Sequence, residues 1–359
     1  MAFDTESTNS LLPSAQTGIG DSRRQAGFTI IELMVSILLG ALLLLSITQS
    51  FSSSLLGDKM QRSYSRIQES GRFALEFLSR DIRMADYWGC LSNNDPGVIE
   101  NNLDTTNANY ATAAASIVDS FSQGGLDGEN NVAAGTTIGG IDVLAGSDVL
   151  TLIGAGGNNS IQVVEPYMNT NSAALHISTG NAIAQGDILL VTDCSGGDIF
   201  EVSNSNPDTS GQVSHNTGIV TTVGNGDQNL SRIYTGDALI MMLQAKTYFV
   251  GTGFNGRTSL YLSTETGTIE MVPNVDNMEV LYGEDKNGDN VVDQYHDAST
   301  VTDMENILAV RITLTVSSED TGFDDAAATY TLNGITYGGD GRLRKRYTVV
   351  TNIRNRMNG

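Results

Sequence analysis

A single carboxylate, Glu32, interrupts an apolar run that extends from Phe28 to Phe51. A carboxylate inside a membrane-spanning helix costs about 2.5–3.5 kcal/mol and usually has a partner. Cleavage after Gly27 would create an α-amino group on Phe28, one helical turn from Glu32. That amine, from the same chain or a neighbour, is a suitable counter-ion, so the pattern predicts an ion pair. The alternative is an ordinary signal anchor in which Glu32 lies shallow in the membrane interface.

The cleavable bond lies on the unusual side of this apolar run. A secretory signal peptide is cut after its apolar run, next to small residues. Here the plausible site, Gly27–Phe28, precedes the run, so cleavage would remove a polar leader, residues 1–27, and leave the apolar segment on the mature chain. At ~1.5 Å per residue, segment 28–51 is ~36 Å long, enough to cross a hydrocarbon core ~30 Å thick.

This arrangement resembles the N-terminus of type IV prepilins, in which glycine is followed by Phe-Thr and then by glutamate at the fifth mature position. The residues in those places are Gly27, Phe28, Thr29 and Glu32. The resemblance implies removal of residues 1–27 by prepilin peptidase, N-methylation of Phe28, and packing of the helix into a filament. It also implies that Glu32 pairs with the amine of an adjacent subunit.

The acidic segment 284–295 is the second candidate for chemistry. Five of its residues take alternate positions of a calcium-loop pattern: Asp285, Asn287, Asp289, Val291 through its carbonyl, and Asp293. Ca²⁺ prefers several hard oxygen ligands at about 2.3–2.6 Å, which alternating short acidic side chains supply. The pattern departs from an EF-hand at Asn290, usually glycine, and at His296, usually glutamate. Asp297 or Glu284 would have to complete the coordination. The alternative is a turn that binds no metal.

The two cysteines, Cys90 and Cys194, lie far apart in the sequence. Beyond a membrane segment the compartment is expected to be oxidising, so we predict a single disulfide that ties the end of a helix to a strand. In the chain-entropy model such a loop contributes ~4–5 kcal/mol. Two buried free thiols are the alternative.

One long helix is the first element that positions these residues. No proline interrupts 28–86, and helical patterning continues past the membrane segment over 52–86. Apolar residues recur there roughly every three or four positions: Leu55, Met60, Tyr64, Ile67, Phe73, Phe77 and Ile82. The remaining residues, 87–359, are predicted to form a globular, β-rich domain.

From about Ser147 the chain is predicted to form strands separated by Gly, Asn and Asp turns. Three apolar runs share an Asp-x-Leu opening: 147–153, 186–192 and 236–242. The clearest strand is 308–316, whose alternation predicts an interior strand with one face on the helix. A short helix is predicted near 108–121. The glycine-rich segment 251–256 is predicted to be a hairpin turn and not a dinucleotide loop, because strand patterns flank it on both sides.

The helix and the strands together predict an α+β fold, in which a long N-terminal helix packs on an antiparallel β-sheet. The segment Gly71–Cys90, GRFALEFLSRDIRMADYWGC, resembles the PilW family of minor pilins, and the resemblance is most specific over 27–90 and 275–356. It implies a type IV pilin-like fold and a minor pilin that helps to prime assembly of the type IV pilus, near its tip.

The formal net charge of −22 is unevenly distributed. Residues 84–341 hold 33 acidic and 5 basic residues, whereas 342–359 hold 6 basic and no acidic ones. The acidic body argues against nucleic-acid binding by most of the domain. Alternation over 344–352 predicts a strand whose arginines lie at a solvent-facing edge or beside acidic neighbours. A DNA or anionic-lipid patch is the alternative.

Enzyme chemistry finds little support in the sequence. The histidines His176, His215 and His296 are isolated, and the sequence has no H-E-x-x-H, G-x-S-x-G or Walker A pattern. We therefore predict a non-enzymatic protein that requires no cofactor, with calcium as the one candidate ligand. The main alternative to a pilus subunit is a minor pseudopilin of a type II secretion system. An adhesin or DNA-uptake contributor and a membrane-anchored hydrolase are further alternatives.

The resemblance also implies partners and a location. The partners are prepilin peptidase, the major pilin, other minor pilins, a tip-associated adhesin and the inner-membrane assembly platform; nucleic acid is not expected. Before assembly the chain would cross the inner membrane once, with its N-terminus cytoplasmic and its C-terminal domain periplasmic. After assembly it would lie in the pilus at the cell surface.

Overall fold

The computed structural model describes residues 27–91, 99–107, 110, 125–155, 160–218, 223–253, 256–323, 329–332 and 335–356. The predicted leader before Gly27 lies outside these residues, as does the predicted helix near 108–121 apart from Tyr110. The chain divides into two compact units, Met1–Asp58 and Lys59–Gly359.

The described part of the first unit is dominated by the beginning of helix α1 (Ile30–Met84). Thr29 caps this helix, because its Oγ1 accepts a hydrogen bond from the Glu32 N–H at 3.2 Å. The apolar side chains of the predicted membrane segment 28–51 are exposed, and α1 is long and apolar enough to cross a membrane.

In the second unit, the rest of α1 forms one wall of the main hydrophobic core. Its buried positions recur at helical spacing: Ile67, Gly71, Ala74, Leu78 and Ile82. At Gly71 the helix approaches Tyr347 so closely that a Cβ would lie 2.5 Å from the ring atom Cδ2. The second compact unit begins at Lys59. It therefore includes helical residues from Lys59 onward, which the sequence pattern placed before the globular domain 87–359.

The first ten strands and a short second helix precede the longest strand. They are β1 (Ile99–Asn101), β2 (Leu126–Glu129), β3 (Thr137–Ile138), β4 (Ile141–Asp142), β5 (Val149–Ala155), β6 (Ile161–Gln162), β7 (Leu175–His176), β8 (Ile188–Thr192), β9 (Gly197–Glu201), α2 (Pro207–Ser210) and β10 (Gln212–Val213).

The remaining elements include two 3₁₀-helices, Met304–Asn306 and Arg354–Arg356. The strands are β11 (Leu239–Thr252), β12 (Thr258–Thr264), β13 (Gly267–Pro273), β14 (Val275–Glu284), β15 (Gln294–His296), β16 (Ile307–Ser317), β17 (Tyr330–Leu332), β18 (Ile335–Tyr337) and β19 (Arg344–Asn352).

Strand β11 is the centre of a nine-stranded sheet. Its first residues pair with β6 and β8, and its later residues pair with β5 and β12, all antiparallel. Only β1 and β9, among the described strands, pair in parallel. A second, antiparallel sheet has the order β15-β14-β16-β19. The main core lies between α1, this second sheet and the β5–β11–β12 part of the first.

Asp148, at the start of β5, joins the two sheets. Its side chain accepts hydrogen bonds from the N–H of Asn131 at 2.9 Å and from the N–H of Val280, in β14, at 2.8 Å. The residue is 3% exposed, and burial raises the pKa of Asp148 to about 6.

We expect the stability contributed by Asp148 to fall as pH rises through about 6. A raised pKa means that the folded protein holds this proton more tightly than the unfolded chain, in which the carboxyl has its ordinary value near 3.8. The contribution is therefore complete below pH 3.8 and is lost above pH 6, and it is on the order of 3 kcal/mol. Urea unfolding of wild type and Asp148→Asn at pH 5 and 7.5 measures it, with wild type gaining relative stability at pH 5. A difference that does not change with pH would contradict this assignment.

The observed fold confirms the predicted architecture of a long helix on antiparallel strands. Strand β16 lies between β14 and β19 and places Val310, Ile312 and Leu314 in the main core. The alternating segment 344–352 is β19. The three runs that open with Asp-x-Leu form β5, β8 and the start of β11, and β11 pairs with both of the others. Strands β11 and β12 pair on either side of 253–257, so the predicted hairpin is confirmed.

Candidate functional site

The Gly27–Phe28 bond lies before the first turn of α1, which begins at Ile30. Both residues are exposed, and Phe28 retains 80% of its accessible surface. Exposed backbone outside regular structure is the preferred substrate of proteases. This geometry suits cleavage after Gly27, which stays a prediction.

The Glu32 side chain is exposed on a helix surface that is otherwise apolar. Its backbone is engaged locally, because the N–H donates to Thr29 Oγ1 and the carbonyl accepts a hydrogen bond from Ser36 Oγ at 2.7 Å. The carboxylate is thus presented outward from the first turn of the helix. It can form an ion pair with an amine, either on Phe28 or on a neighbouring chain.

The predicted disulfide between Cys90 and Cys194 is confirmed. It joins the segment directly after α1 to the turn between β8 and β9. Asp193 stabilises the same turn, because its Oδ1 accepts the N–H of Ser195 at 3.0 Å and lies 3.2 Å from Arg232 Nη1. The disulfide therefore ties the end of the helix to the first sheet.

A buried ion pair between Asp86 and Arg356 also holds the end of α1, and the sequence analysis missed it. Arg356 Nε donates to Asp86 Oδ2 at 2.7 Å, and Trp88 Nε1 donates to Asp86 Oδ1 at 2.5 Å. The Arg356 guanidinium also donates to the backbone carbonyls of Met304 and Ile307, at 2.5 and 2.8 Å. The side chains of Arg356 and Asp86 are 2% and 0% exposed. This network joins the helix end, the start of β16 and the segment after β19.

At least three of the six basic residues beyond position 341 pair with carboxylates of the domain, and Arg342 does so at 3.7 Å from Asp340. Arg356 pairs with Asp86, as described above. Arg344 donates to Asp276 at 2.6 Å and to both carboxylate oxygens of Asp340 at 2.8 and 2.7 Å. The hydrogen bonds from Arg344 lower the pKa of Asp340 to about 2. This pairing favours the interpretation that the basic segment stabilises the fold over the interpretation that it binds nucleic acid.

The acidic loop after β14 is closed by its own hydrogen bonds. Asp285 accepts the N–H groups of Gly288 and Asn290, both at 2.7 Å. Desolvation alone would raise the pKa of Asp285, but these N–H groups and that of Asn287 outweigh it and lower that pKa. Asn290, where an EF-hand has glycine, adopts φ +63°, which asparagine tolerates better than most residues.

The loop does not gather its acids into a metal-binding cluster. Within the described part of the chain, no three His, Cys, Asp or Glu side chains are placed to hold a metal ion. Asp289 and Asn287 each accept a backbone N–H two residues further on, at 2.9 Å. Calcium binding by Asp285, Asn287, Asp289, Val291 and Asp293 is not shown and stays a prediction.

Calorimetry decides the calcium prediction. A soluble form that begins at Lys59 should release or absorb heat on titration with calcium, with a Kd of about 10⁻⁴–10⁻³ M, the range of extracellular calcium modules. The heat should disappear in Asp285→Ala/Asp289→Ala. It should persist in Asp227→Ala, a matched change in another loop where an aspartate accepts a backbone N–H. No heat at millimolar calcium would refute the prediction.

Two ranges of this chain match models of known protein families. Residues 22–48 match the family model of the prokaryotic N-terminal methylation motif, and this match includes Gly27, Phe28 and Glu32. Residues 247–355 match the PilW family, type IV pilus-assembly protein W. The resemblance to PilW is confirmed over residues 247–355, and the resemblance to the prepilin N-terminus is confirmed over residues 22–48.

The PilW match extends from the later part of β11 into the last 3₁₀-helix, so it includes the second sheet and the acidic loop. The segment Gly71–Cys90 lies between the two matched ranges. The methylation motif and the apolar first part of α1 together indicate membrane anchoring.

Among solved structures, the chain is similar to a type IV-like pilin from Thermus thermophilus. The two are 16% identical, and the alignment covers 32% of this chain and 68% of that chain with a TM-score of 0.18. A search of curated proteins finds no match. The similarity to PilW and to the N-terminal methylation motif therefore rests on the two family matches.

Proposed function

We propose that this chain is a minor pilin that primes or supports assembly of the type IV pilus, near the pilus tip and together with other minor pilins. The observation that carries the proposal is the match to PilW in a chain that also presents an exposed Gly27–Phe28 bond and Glu32 on an apolar helix.

The negative charge of segment 84–341, the larger part of the globular unit, supports a rare subunit. Residues 84–341 sum to −28 from 33 acidic and 5 basic residues. Copies stacked along a fibre would bring these like-charged surfaces together, which is unfavourable. A subunit that occurs once, at one end of a fibre, avoids that repulsion.

In the proposed mechanism, the leader, Glu32, the apolar part of α1 and the globular unit each have a different role. Prepilin peptidase removes the leader and exposes the amine of Phe28, which is then methylated. Glu32 pairs with the amine of a neighbouring subunit and thereby sets the axial position of the helix. The apolar side chains of α1 pack in the filament core, and the globular surface selects partners.

The proposal also specifies a location and partners. Before assembly the chain crosses the inner membrane once, with the N-terminus cytoplasmic and the globular unit periplasmic; afterwards it lies in the pilus. Its partners are the major pilin, other minor pilins, a tip-associated adhesin and the inner-membrane assembly platform. Neither a catalytic step nor a required cofactor is part of this role.

Peptide-resolved mass spectrometry on sheared surface fibres and on membranes of the same cells tests the proposal. A chain that begins at methylated Phe28 and is present at low abundance in the fibres is the expected result. The processed chain in membranes alone would favour the alternative, a minor pseudopilin of a type II secretion system. An intact N-terminus in both fractions would contradict both functions.

Glu32→Ala should still be processed after Gly27 but should enter fibres about tenfold less, because losing an ion pair of ~1.4 kcal/mol changes an equilibrium tenfold. Quantitative mass spectrometry of the fibre fraction measures this change. Glu69→Ala, which removes an exposed carboxylate from the same helix in the second unit, is the matched control and should behave as wild type. Equal incorporation of the two variants would remove Glu32 from the mechanism.

A further inference from the structure

Phe73, Phe77 and Met84 form an apolar stripe on α1, in which Phe73 and Met84 are exposed and Phe77 is half-buried. Phe73 and Met84 are 46% and 54% exposed, and the rings of Phe73 and Phe77 lie 4.5 Å apart. The apolar spacing that predicted the helix includes both phenylalanines, Ile67 and Ile82, but only the two isoleucines are buried in the core. The core face of α1 carries Ile67, Gly71, Ala74, Leu78 and Ile82, and at Gly71 the helix comes closest to Tyr347 of the sheet. The larger rings are rotated away from the core.

Arginines line this stripe. The Arg80 guanidinium lies 4.9 Å from the centre of the Phe77 ring, and its side chain is 66% exposed. Arg83 and Arg354 are also exposed, and they line the same groove of about 520 Å³ as Phe77, Arg80 and Met84. One acidic residue, Glu76, contributes to the lining. A basic, aromatic groove is therefore present on a domain that is otherwise strongly acidic.

We propose that this groove binds an acidic surface of a different pilus subunit. We call the groove together with the adjoining Phe73 the α1 docking face, and define it by Phe73, Phe77, Arg80, Arg83, Met84 and Arg354. The inference rests on the proposed function, which supplies neighbouring subunits and makes a second copy of this rare chain an unsuitable occupant.

Charge and composition select this occupant. Arginine and aromatic residues are enriched in the buried centres of protein interfaces. Guanidinium groups pair with carboxylates through two parallel hydrogen bonds, so an acidic partner satisfies the arginines while apolar side chains cover the rings. Opposite charges across the contact would also favour the correct partner and position over others.

Site-specific photo-cross-linking tests the proposal in the full-length chain in its own cells. A photoreactive amino acid replaces Phe77, and the cross-linked peptide is identified by mass spectrometry. The expected product is a peptide of another pilus subunit that carries net negative charge. R83Q/R354Q, which removes two positive charges from the α1 docking face, should lower the yield about tenfold. T170E/Q228E changes the net charge equally at exposed positions elsewhere, and it should leave the yield unchanged.

Processing is measured in the same samples, so that the two proposals can fail separately. A chain with methylated Phe28 in the fibres, but with no cross-link to another subunit, overturns the docking face and leaves the minor-pilin proposal standing. The same conclusion follows from a cross-link to lipid, to nucleic acid or to a second copy, and from a yield that R83Q/R354Q does not change. Absence of the processed chain from the fibres overturns the proposed function and, with it, this inference.

Discussion

Arg356→Met should lower the free energy of unfolding by about 3–5 kcal/mol, the usual cost of removing one partner from a buried ion pair. The variant leaves the Asp86 carboxylate buried without its cation, and the carbonyls of Met304 and Ile307 lose a charged donor. Urea unfolding of a soluble form that begins at Lys59, followed by the fluorescence of Trp88, measures the change.

Two further variants separate the ion pair from general effects of substitution. Arg354→Met alters an exposed arginine two positions earlier and should change stability by less than about 0.5 kcal/mol. Asp86→Asn/Arg356→Met removes both charges and should recover part of the loss. Asparagine tolerates the φ of +59° at position 86, and its carbonyl can still accept from Trp88 Nε1. Equal stability of Arg356→Met and Arg354→Met would show that the pair does not hold the helix end.

Replacing the disulfide by Cys90→Ser/Cys194→Ser should lower the free energy of unfolding by about 4–5 kcal/mol. The two cysteines are separated by 104 positions, and closing a loop of that length removes much conformational entropy from the unfolded chain. Urea unfolding at pH 7 measures the difference.

Wild-type protein in excess reductant is the matched control, because it loses the bond without a change in sequence. Its unfolding midpoint should agree with that of Cys90→Ser/Cys194→Ser. Agreement of both with the oxidised wild type would show that the turn at Cys194 is held by other contacts, which include the Asp193–Arg232 pair.

The features that the sequence predicted correctly depend on short, periodic patterns. The helix follows from an uninterrupted run without proline, and β16 and β19 follow from strict alternation in which each inward residue reaches the same core. The disulfide was predictable because the chain has only two cysteines. The motif that contains Gly27, Phe28 and Glu32 could be recognised because its whole signal lies within six residues, while cleavage after Gly27 and the ion pair of Glu32 stay predictions.

The features that were missed depend on contacts between distant segments. The sequence shows that Arg356 carries a positive charge but not whether its side chain is exposed or buried. Only the tertiary fold brings Arg356 to Asp86. The rotation of Phe73 and Phe77 out of the core depends on the close approach of Gly71 to Tyr347, which spacing along one helix does not reveal. The strands between 160 and 240 were only partly predictable, because β6, β7 and β10 are two residues long and carry no period.

The Asp86–Arg356 contact links positions 270 residues apart, and this separation has a consequence during synthesis. The ribosome synthesises the end of α1 first. Strand β19 and Arg356 are synthesised only after every other described strand. A nascent chain therefore lacks the last contacts of α1, those with β19 and Arg356, until almost the whole domain has been made. A product terminated before residue 344 lacks both closing elements, so it is expected to stay open to proteases and chaperones instead of entering an assembly. The late position of this contact is thus expected to make stable folding depend on synthesis through Arg356.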